Sequence, residues 1–372
     1  MNNTVLICGL GNIGGLTLEF LARLAPDLTF LGVNRNKDKG IRKINEVQLG
    51  ITHHGFFPGM IYESLDISDV DKTAKLLSKY MPSVICNFTT IYADWTKVNS
   101  GRLSQAKMGP WLPMHLAPAY DLMTAVKKSG INTYVINGAY PDVVNPVLHK
   151  MGLTPLVGVG NIDNRIPAIR LTIAKKFGSR PQEIEIYFYG HRSVSTNLDK
   201  LGHTNGVPYY LKIFIGGKDV TDEIDINWLF SKIPTMWKRC TGSSGSPLVA
   251  SSAVKNVLAI LKNKDILTHG PGPNGLPGGY TVRINKKGVQ LVFPHGLTIS
   301  EAIKINEKGA KFDGIEKIEN DGTVIFTSES YEIMKQELGY DCPVLYPDEI
   351  KDRAYQLLKK YEEYTLSENS LF

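Results

Sequence analysis

The chain has 372 residues, of which 42% are hydrophobic and 21% charged, the composition of an ordinary globular protein. It contains no run near the roughly 20 apolar residues that a membrane-spanning helix needs. The composition excludes a disordered or collagen-like chain, and the lack of a long apolar run excludes a membrane-spanning protein. The length favours two domains over one.

Charge is distributed unevenly along the chain. Residues 315–372 carry 13 acidic and 6 basic side chains, whereas the preceding 314 residues carry 36 basic and 23 acidic ones. The lysines and arginines are dispersed and form no platform with aromatic residues, so we expect no nucleic-acid partner. An anionic small molecule or cofactor explains the basic surplus more simply.

The four cysteines Cys8, Cys86, Cys240 and Cys342 are scattered, without CxxC or Cys/His ligand spacing. Neither a disulfide framework nor a metal site is predicted. A reducing compartment, the cytoplasm, fits this use of cysteine best.

Short apolar runs alternate with helical patterns in the first half of the chain. The predicted strands cover residues 4–8, 30–33, 83–88, 133–137 and 155–159. The predicted helices cover residues 14–25, 69–80 and 114–129. This alternation favours βαβ units and a parallel sheet.

The pattern changes after about residue 160. Residues 183–189 and 209–215 alternate like antiparallel strands, and residues 280–284 and 289–293 are typical of a hairpin. A Ser/Gly-rich turn at 241–246 opens a helix ending near 261, residues 271–279 form a Gly/Pro-rich loop, and helices are predicted at 301–310 and 348–364.

These patterns predict an α/β protein: a Rossmann doubly wound parallel sheet followed by an α+β catalytic domain with antiparallel strands. We expect a dinucleotide-binding domain at 1–157, a catalytic domain at 158–314 and an acidic C-terminal extension at 315–372 packed on the body.

A glycine-rich motif follows the first strand and opens the first helix. It comprises Gly9, Gly11, Asn12, Ile13 and Gly14. The first glycine permits a tight turn, the second lets backbone N–H groups approach a pyrophosphate, and the third allows close packing of helix on strand. Because strand, motif and helix occur in the required order, the motif predicts a dinucleotide site.

The second strand ends at Asn34 and Arg35, where an NAD enzyme usually has an acidic residue for the ribose 2′-hydroxyl. Asn34 can still bond the ribose, and Arg35, with Lys37 nearby, can pair with a 2′-phosphate. The sequence therefore favours NADP over NAD, and the weaker alternative is that Arg35 and Lys37 form only a solvated loop edge.

Three further positions are candidate cofactor contacts. Asp66 could bond the adenine amine or simply start a helix, for which Asp69 is the better N-cap candidate. Asn87 and Thr89 belong to the segment 87–90 in which the strand that begins at Ser83 ends, at the sheet edge where a dinucleotide crosses.

Polar residues also follow three other predicted strands. Asn137 ends the strand at 133–137, Asp163 follows the segment Gly-Val-Gly-Asn-Ile, and His191 follows the strand at 183–189. Open α/β sheets place their ligands at such strand ends.

At these residues the chain resembles the lactate/malate dehydrogenase superfamily, over most of residues 3 to 312. The segment at 133–146 is similar to that family's NPVD strand end, residues 158–163 to its aspartate segment, and residues 189–193 to its GEHGDS histidine loop. Residues 274–294 look like its closing hairpin and residues 297–310 like its last helix. The order and spacing carry the resemblance, since no single motif matches fully.

The resemblance implies that His191 is the general acid/base and Asp163 the carboxylate that orients it. Asn137 would bond the reacting oxygen or the nicotinamide ribose. Oxidation of a carbinol requires a proton to move at oxygen, and histidine titrates near the working pH. His203 is the rival base because it is close in sequence to His191.

The chain departs from the family at the substrate. The family's carboxylate-binding arginine lies three residues after the aspartate, whereas here Arg165 and Arg170 lie at +2 and +7. The mobile substrate loop would be about 94–108, with Arg102 as its arginine and Lys97 and Lys107 as alternatives. Ser246 lies where the family has small hydroxyl residues beside the substrate, although it could equally cap the following helix.

The leading hypothesis is an NAD(P)-dependent dehydrogenase or reductase of a hydroxyl/carbonyl pair on a small, anionic substrate. The alternatives are an opine/saccharopine-type reductase, a dinucleotide-dependent glycosidase and a non-enzymatic dinucleotide sensor. By analogy with this fold we expect a homodimer or homotetramer.

Overall fold

The computed structural model describes residues 3–92 and 101–369. Its first lobe is a six-stranded parallel sheet with strand order β3-β2-β1-β4-β5-β6. The strands are β1 (Thr4–Cys8), β2 (Thr29–Asn34), β3 (Gly59–Ser64), β4 (Val84–Asn87), β5 (Tyr134–Asn137) and β6 (Val157–Gly158). The reversal of strand order beside β1 places β1 and β4 side by side, at the switch point where such sheets bind ligands.

Five helices connect these strands. They are α1 (Asn12–Leu24), α2 (Lys37–Thr52), α3 (Val70–Tyr80), α4 (Leu112–Ser129) and α5 (Pro141–Lys150). Asp69 caps α3, because its side chain accepts a hydrogen bond from the backbone N–H of Lys72. The sequence had predicted α1, α3 and α4 but neither α2 nor β3.

The second lobe is built on an antiparallel sheet of order β10-β11-β7-β8-β9, with β12 also paired to β11. Its strands are β7 (Ile184–Gly190), β8 (Tyr209–Ile215), β9 (Lys218–Asp219), β10 (Ile266–Pro271), β11 (Gly279–Asn285) and β12 (Gly288–Leu291). Its helices are α6 (Ile166–Phe177), α7 (Arg192–Leu201), α8 (Ile226–Met236), α9 (Ser246–Leu261) and α10 (Ile299–Lys311). The predicted α/β class, with a Rossmann sheet followed by antiparallel strands, is confirmed.

The chain ends in a third unit. A small antiparallel sheet, β13 (Ile315–Ile318), β14 (Val324–Phe326) and β15 (Val344–Leu345), is accompanied by helices α11 (Ser328–Leu338) and α12 (Ile350–Asn369). Tyr340, Leu357 and Tyr361 are buried in the same apolar core as Leu6 and Leu31 of the Rossmann sheet. Burial of these side chains against the first lobe is what holds the extension in place.

The other face of the Rossmann sheet packs on the second lobe. Leu18 and Leu21 of α1 share a core with Val254 and Val257 of α9 and with β11. No helix in the described ranges is long and apolar enough to cross a bilayer.

Candidate active site

The glycine-rich turn has the geometry that a dinucleotide requires. Gly9 has φ of +86°, a conformation that glycine adopts without strain. A Cβ on Gly14 would lie 1.9 Å from the carbonyl oxygen of Gly9, whereas a Cβ on Gly11 would meet no atom within 4 Å. Helix α1 begins without a side-chain cap, so the N–H groups of its first turn face this open space.

A cleft of about 610 Å³ opens beside this turn, at the switch point of the sheet. Gly9 and Gly11 line it, together with Thr89 after β4. Asn12, Ile13 and Gly14 form the start of α1 behind the lining. The space and the uncapped helix end fit a dinucleotide pyrophosphate.

The end of β2 forms one edge of the cleft. Asn34, Arg35, Asn36 and Lys39 line it there. Arg35 and Lys39 are exposed, and neither side chain has an ion pair or hydrogen bond among the described residues, whereas Lys37 lies outside the lining. A positive edge of this kind fits a 2′-phosphate, and the sequence did not single out Lys39.

The loop after β3 forms a second edge, with Asp66, Ile67 and Ser68. The carboxylate of Asp66 accepts a hydrogen bond from the backbone N–H of Ser68 at 3.0 Å, so it also shapes this loop. Among the described residues, the second carboxylate that lines the cleft is that of Asp121 on α4, which pairs with Lys351 at 2.5 Å.

Asn87 and Asn137 are part of the scaffold beneath the cleft, since each is 1% exposed. The side-chain amide of Asn87 donates to Oδ1 of Asn137 at 3.1 Å, and that of Asn137 donates to Asn145 at 2.8 Å. The same Oδ1 of Asn137 accepts from the N–H of Ala139. The sequence predicted that these two residues contact ligand atoms directly. In the structure their side-chain amides instead hydrogen-bond to each other and to neighbouring protein groups, so they hold the strand ends together.

The structure does not bring His191 and Asp163 together. Asp163 accepts hydrogen bonds from Ser252 at 2.5 Å and Lys255 at 3.0 Å, both on α9. No hydrogen bond joins it to His191 in the described part of the chain. The predicted pairing is therefore wrong: helix α9, which the sequence predicted without indicating what it packs against, supplies the partners of Asp163.

Asp142, in the first turn of α5, is a carboxylate close enough to act electrostatically on the His191 imidazole. Burial lowers the pKa of His191, and the nearby carboxylates of Asp142 and Asp313 oppose that shift. The Nδ1 atom of His191 faces Ser193 at 3.3 Å, while its Nε2 atom is buried without a hydrogen-bond partner among the described residues. One imidazole nitrogen is therefore unpaired but enclosed by protein, and His191 does not line the cleft.

Around His191 lies a cluster of buried polar groups. Asp142 accepts from the backbone N–H of Arg192 at 2.8 Å and from the side chain of Asn161. The hydroxyl of Tyr140 donates to Asp313 at 2.7 Å, and burial raises the pKa of Asp142. Tyr140 and Asp142 lie in the segment 133–146, but the sequence predicted no role for either residue. Their partners come from distant segments, which local patterns do not indicate.

Lys255 and Asp163 form a second cluster, between α9 and β10. The ammonium of Lys255 also contacts the Thr268 hydroxyl at 2.5 Å, and burial lowers its pKa while Asp163 opposes that shift. His269 lies near the same carboxylate, and burial lowers its pKa to about 3. The sequence did not single out Lys255, because the position of a lysine within a helix does not indicate which distant carboxylate it will bind.

The predicted substrate arginines are separated. Arg165 is buried and committed to Asp199 at 2.6 Å and Ser195 at 2.9 Å, so it is not available to a substrate carboxylate. Arg170 is half-buried, its Nε atom has no partner among the described residues, and it lies near Asp163. Ser246 is buried in the first turn of α9, where Gly245 occupies the N-cap position.

Arg102 is also placed elsewhere than predicted. It is exposed and binds the extension, through Gln336 at 2.5 Å and Glu337 at 3.2 Å. One carboxylate and one amide of α11 therefore hold this guanidinium on the C-terminal extension. Of its two alternatives, Lys107 lies outside the cleft lining and Lys97 lies outside the described residues.

In the described part of the chain, no group of three His, Cys, Asp or Glu side chains could hold a metal ion. The four cysteines are free, and only Cys240 among them is exposed.

No protein-family model matches this sequence, and no curated protein matches it. Solved structures do. The lactate dehydrogenase MGS-M5, from a Medee basin deep-sea metagenome library, superposes with a TM-score of 0.59 at 14% identity, over 84% of this chain and 96% of that one. The malate dehydrogenase of Plasmodium falciparum gives 0.55 at 16% identity, over 89% and 99% of the two chains.

The lactate dehydrogenase of Cryptosporidium parvum, solved with lactic acid and nicotinamide adenine dinucleotide, gives a TM-score of 0.57 at 16% identity, over 84% of this chain and 96% of that one. The chain therefore has the fold of the lactate and malate dehydrogenases. At the level of the fold, the resemblance in the sequence is confirmed.

Proposed function

We propose that the protein is an NADP-dependent oxidoreductase that interconverts a hydroxyl and a carbonyl group on a small anionic substrate. The observation that carries this proposal is the cleft beside Gly9 and Gly11, where an uncapped helix start meets open space. When bound there, the dinucleotide supplies or accepts a hydride at the substrate carbon.

The preference for NADP is supported by the charges at the end of β2. Arg35 and Lys39 bring two cations to that edge of the cleft, and the strand itself ends in Asn34. The amide of Asn34 donates to the carbonyl of Asn36 at 3.1 Å, so it is held at this edge. A guanidinium matches a phosphate better than it matches a ribose hydroxyl.

His191 is our first candidate for the proton that must move at the substrate oxygen. Its Nε2 atom is buried and has no partner in the described residues. Asp142 and Asp313 would stabilise the imidazolium that forms when His191 takes the hydroxyl proton. Burial favours the neutral imidazole, which is the form that accepts a proton.

Lys255 is the second candidate, and its geometry favours it in one respect. Its side chain is 29% exposed, whereas His191 is fully buried. Asp163 holds its ammonium at 3.0 Å, and the lowered pKa of Lys255 makes proton exchange easier than for an ordinary lysine. Arg170, near the same carboxylate, is the arginine best placed for an anionic substrate.

The test combines binding and turnover. Titration of the full chain with NADP and NAD measures affinity. Absorbance of the reduced nicotinamide follows turnover with three separate sets of compounds: hydroxy acids, sugars, and mixtures of an amino acid with a keto acid. Turnover of a hydroxy acid supports the proposal. Turnover only with the amino-acid mixtures would indicate an opine-type reductase, binding without any turnover would indicate a sensor, and no binding at all would refute the proposal.

Two variants distinguish the proton donors. If His191 acts, His191→Gln lowers turnover by about 10²- to 10⁴-fold with NADP affinity retained, and Lys255→Met does not. The opposite result assigns the role to Lys255. His203→Gln is the matched control, because His203 is exposed and lies outside both clusters.

A further inference from the structure

The last helix of the chain forms a wall of the cofactor cleft. Lys351 and Tyr355 of α12 line the cleft, and their spacing of four residues puts both on one face of the helix. Tyr355 is 57% exposed. Nothing in the proposed function uses this residue.

Helix α12 is fixed against the body of the protein on its other face. Ala354, Leu357 and Tyr361 are buried, and the ring of Tyr361 makes edge contacts with Trp111 at 5.1 Å and with Tyr92 at 5.0 Å. The cleft-facing side chains of the helix are therefore presented by a packed element and not by a loose tail.

An ion pair sets the position of α12 at the rim of the cleft. The Lys351 ammonium lies 2.5 Å from the carboxylate of Asp121, whose residue is 3% exposed on α4. Burial raises the pKa of Asp121, and Lys351 opposes that shift. The charge of Lys351 is therefore paired with Asp121. Tyr355 is the other residue of α12 that lines the cleft, and its ring is left free to contact a ligand.

The remaining rim shows what Tyr355 would meet. Arg35 and Lys39, at the end of β2, mark where the ribose and its phosphate belong, and Asp66 and Ile67 continue the cleft beyond them. An aromatic ring offers a flat face on which a base can stack, and Tyr355 and Ile67 both line this cleft. Resting on the proposed function, we propose that Tyr355 stacks on the adenine ring of the bound dinucleotide, so that the C-terminal extension completes the cofactor site.

The experiment is a calorimetric titration of the full chain and its variants with NADP and with 2′,5′-ADP, which carries the adenine half alone. Tyr355→Ala should weaken both ligands by the same factor, about tenfold, because stacking on an aromatic ring contributes that much. Tyr355→Phe should bind within twofold of the wild type. Tyr355→Leu, which keeps bulk without a flat ring, should behave like Tyr355→Ala.

Tyr346→Ala is the matched control, since Tyr346 is a 50% exposed tyrosine of the same extension that lies outside the cleft. Affinities of Tyr355→Ala equal to those of Tyr346→Ala would overturn the inference and leave the proposed function standing. A loss confined to NADP, with 2′,5′-ADP unaffected, would also overturn it, because the ring would then act away from adenine. Failure of the wild type to bind either ligand would instead refute the proposed function.

Discussion

The Arg192 guanidinium binds both carboxylate oxygens of Asp313, at 2.7 and 2.8 Å. Arg192 begins α7 directly after His191, and Asp313 lies between α10 and the first strand of the extension. This pair therefore connects the residues around the candidate proton donor with the start of the C-terminal unit. Tyr140 extends it, since its hydroxyl donates to Asp313 and its ring lies 5.3 Å from the guanidinium.

We expect Arg192→Met to destabilise the protein by about 3 kcal/mol, because it leaves the Asp313 carboxylate nearly buried without its cation. Replacing both partners, as Arg192→Met with Asp313→Leu, should recover part of that loss. Urea unfolding of the single and double variants measures both quantities. A single variant as stable as the wild type would show that the pair contributes nothing to folding.

Stability should fall as the pH falls below about 6.5. His115 and His269 are buried, and burial lowers the pKa of each to about 3, whereas an unfolded histidine titrates near 6.5. Between those values the unfolded chain binds more protons than the folded one, so acid favours unfolding. The contribution of these histidines is present above pH 6.5 and is lost progressively toward pH 3.

The variant His269→Asn isolates one of these groups. From pH 7 to 4 its unfolding free energy should fall less than that of the wild type, by on the order of 2 kcal/mol. Denaturant unfolding at a series of pH values measures this difference. His203→Asn, at an exposed histidine, should keep the wild-type dependence, and an identical dependence in His269→Asn would show that the imidazole at 269 charges freely in the folded state.

Two glycines of the first turn should respond differently to alanine. Gly14→Ala places a Cβ against the carbonyl of Gly9, and we expect a loss of about 2 kcal/mol together with loss of dinucleotide binding. Gly11→Ala adds a methyl group to open space in the cleft, so the fold should persist while binding weakens. Thermal melts and NADP titrations measure the two effects, and equal melting temperatures for both variants would contradict this assignment.

The cations at the end of β2 should decide between the two dinucleotides. Arg35→Ala is expected to lower the affinity for NADP about tenfold with NAD changed less than twofold, since only NADP carries the 2′-phosphate. Lys39→Ala should act in the same direction. Lys37→Ala is the control, because Lys37 is exposed outside the cleft. An unchanged ratio of the two affinities in Arg35→Ala would remove the case for NADP.

Local patterns predicted much of the scaffold. The first strand, the long helix α4 and the hairpin of β11 and β12 were expected because apolar periodicity and turn residues act over neighbouring positions. Helix α2 and strand β3 were not predicted. Strand β3 is only half-buried and α2 is strongly polar, so neither shows a strong apolar periodicity. The domain boundaries and the homo-oligomer stay predictions.

Local sequence was enough to predict the glycine turn, the cationic end of β2 and the fold class, because each depends on residues adjacent in the chain or on repeated local patterns. Tertiary structure decided which partners the chemically active side chains meet: Asp142 beside His191, Lys255 on Asp163, Arg102 on α11, and Tyr355 at the rim of the cleft. These contacts join segments as far apart as 234 residues, as between Arg102 and Gln336, and are selected by the packing of whole helices and sheets. No spacing along a single chain encodes such a choice.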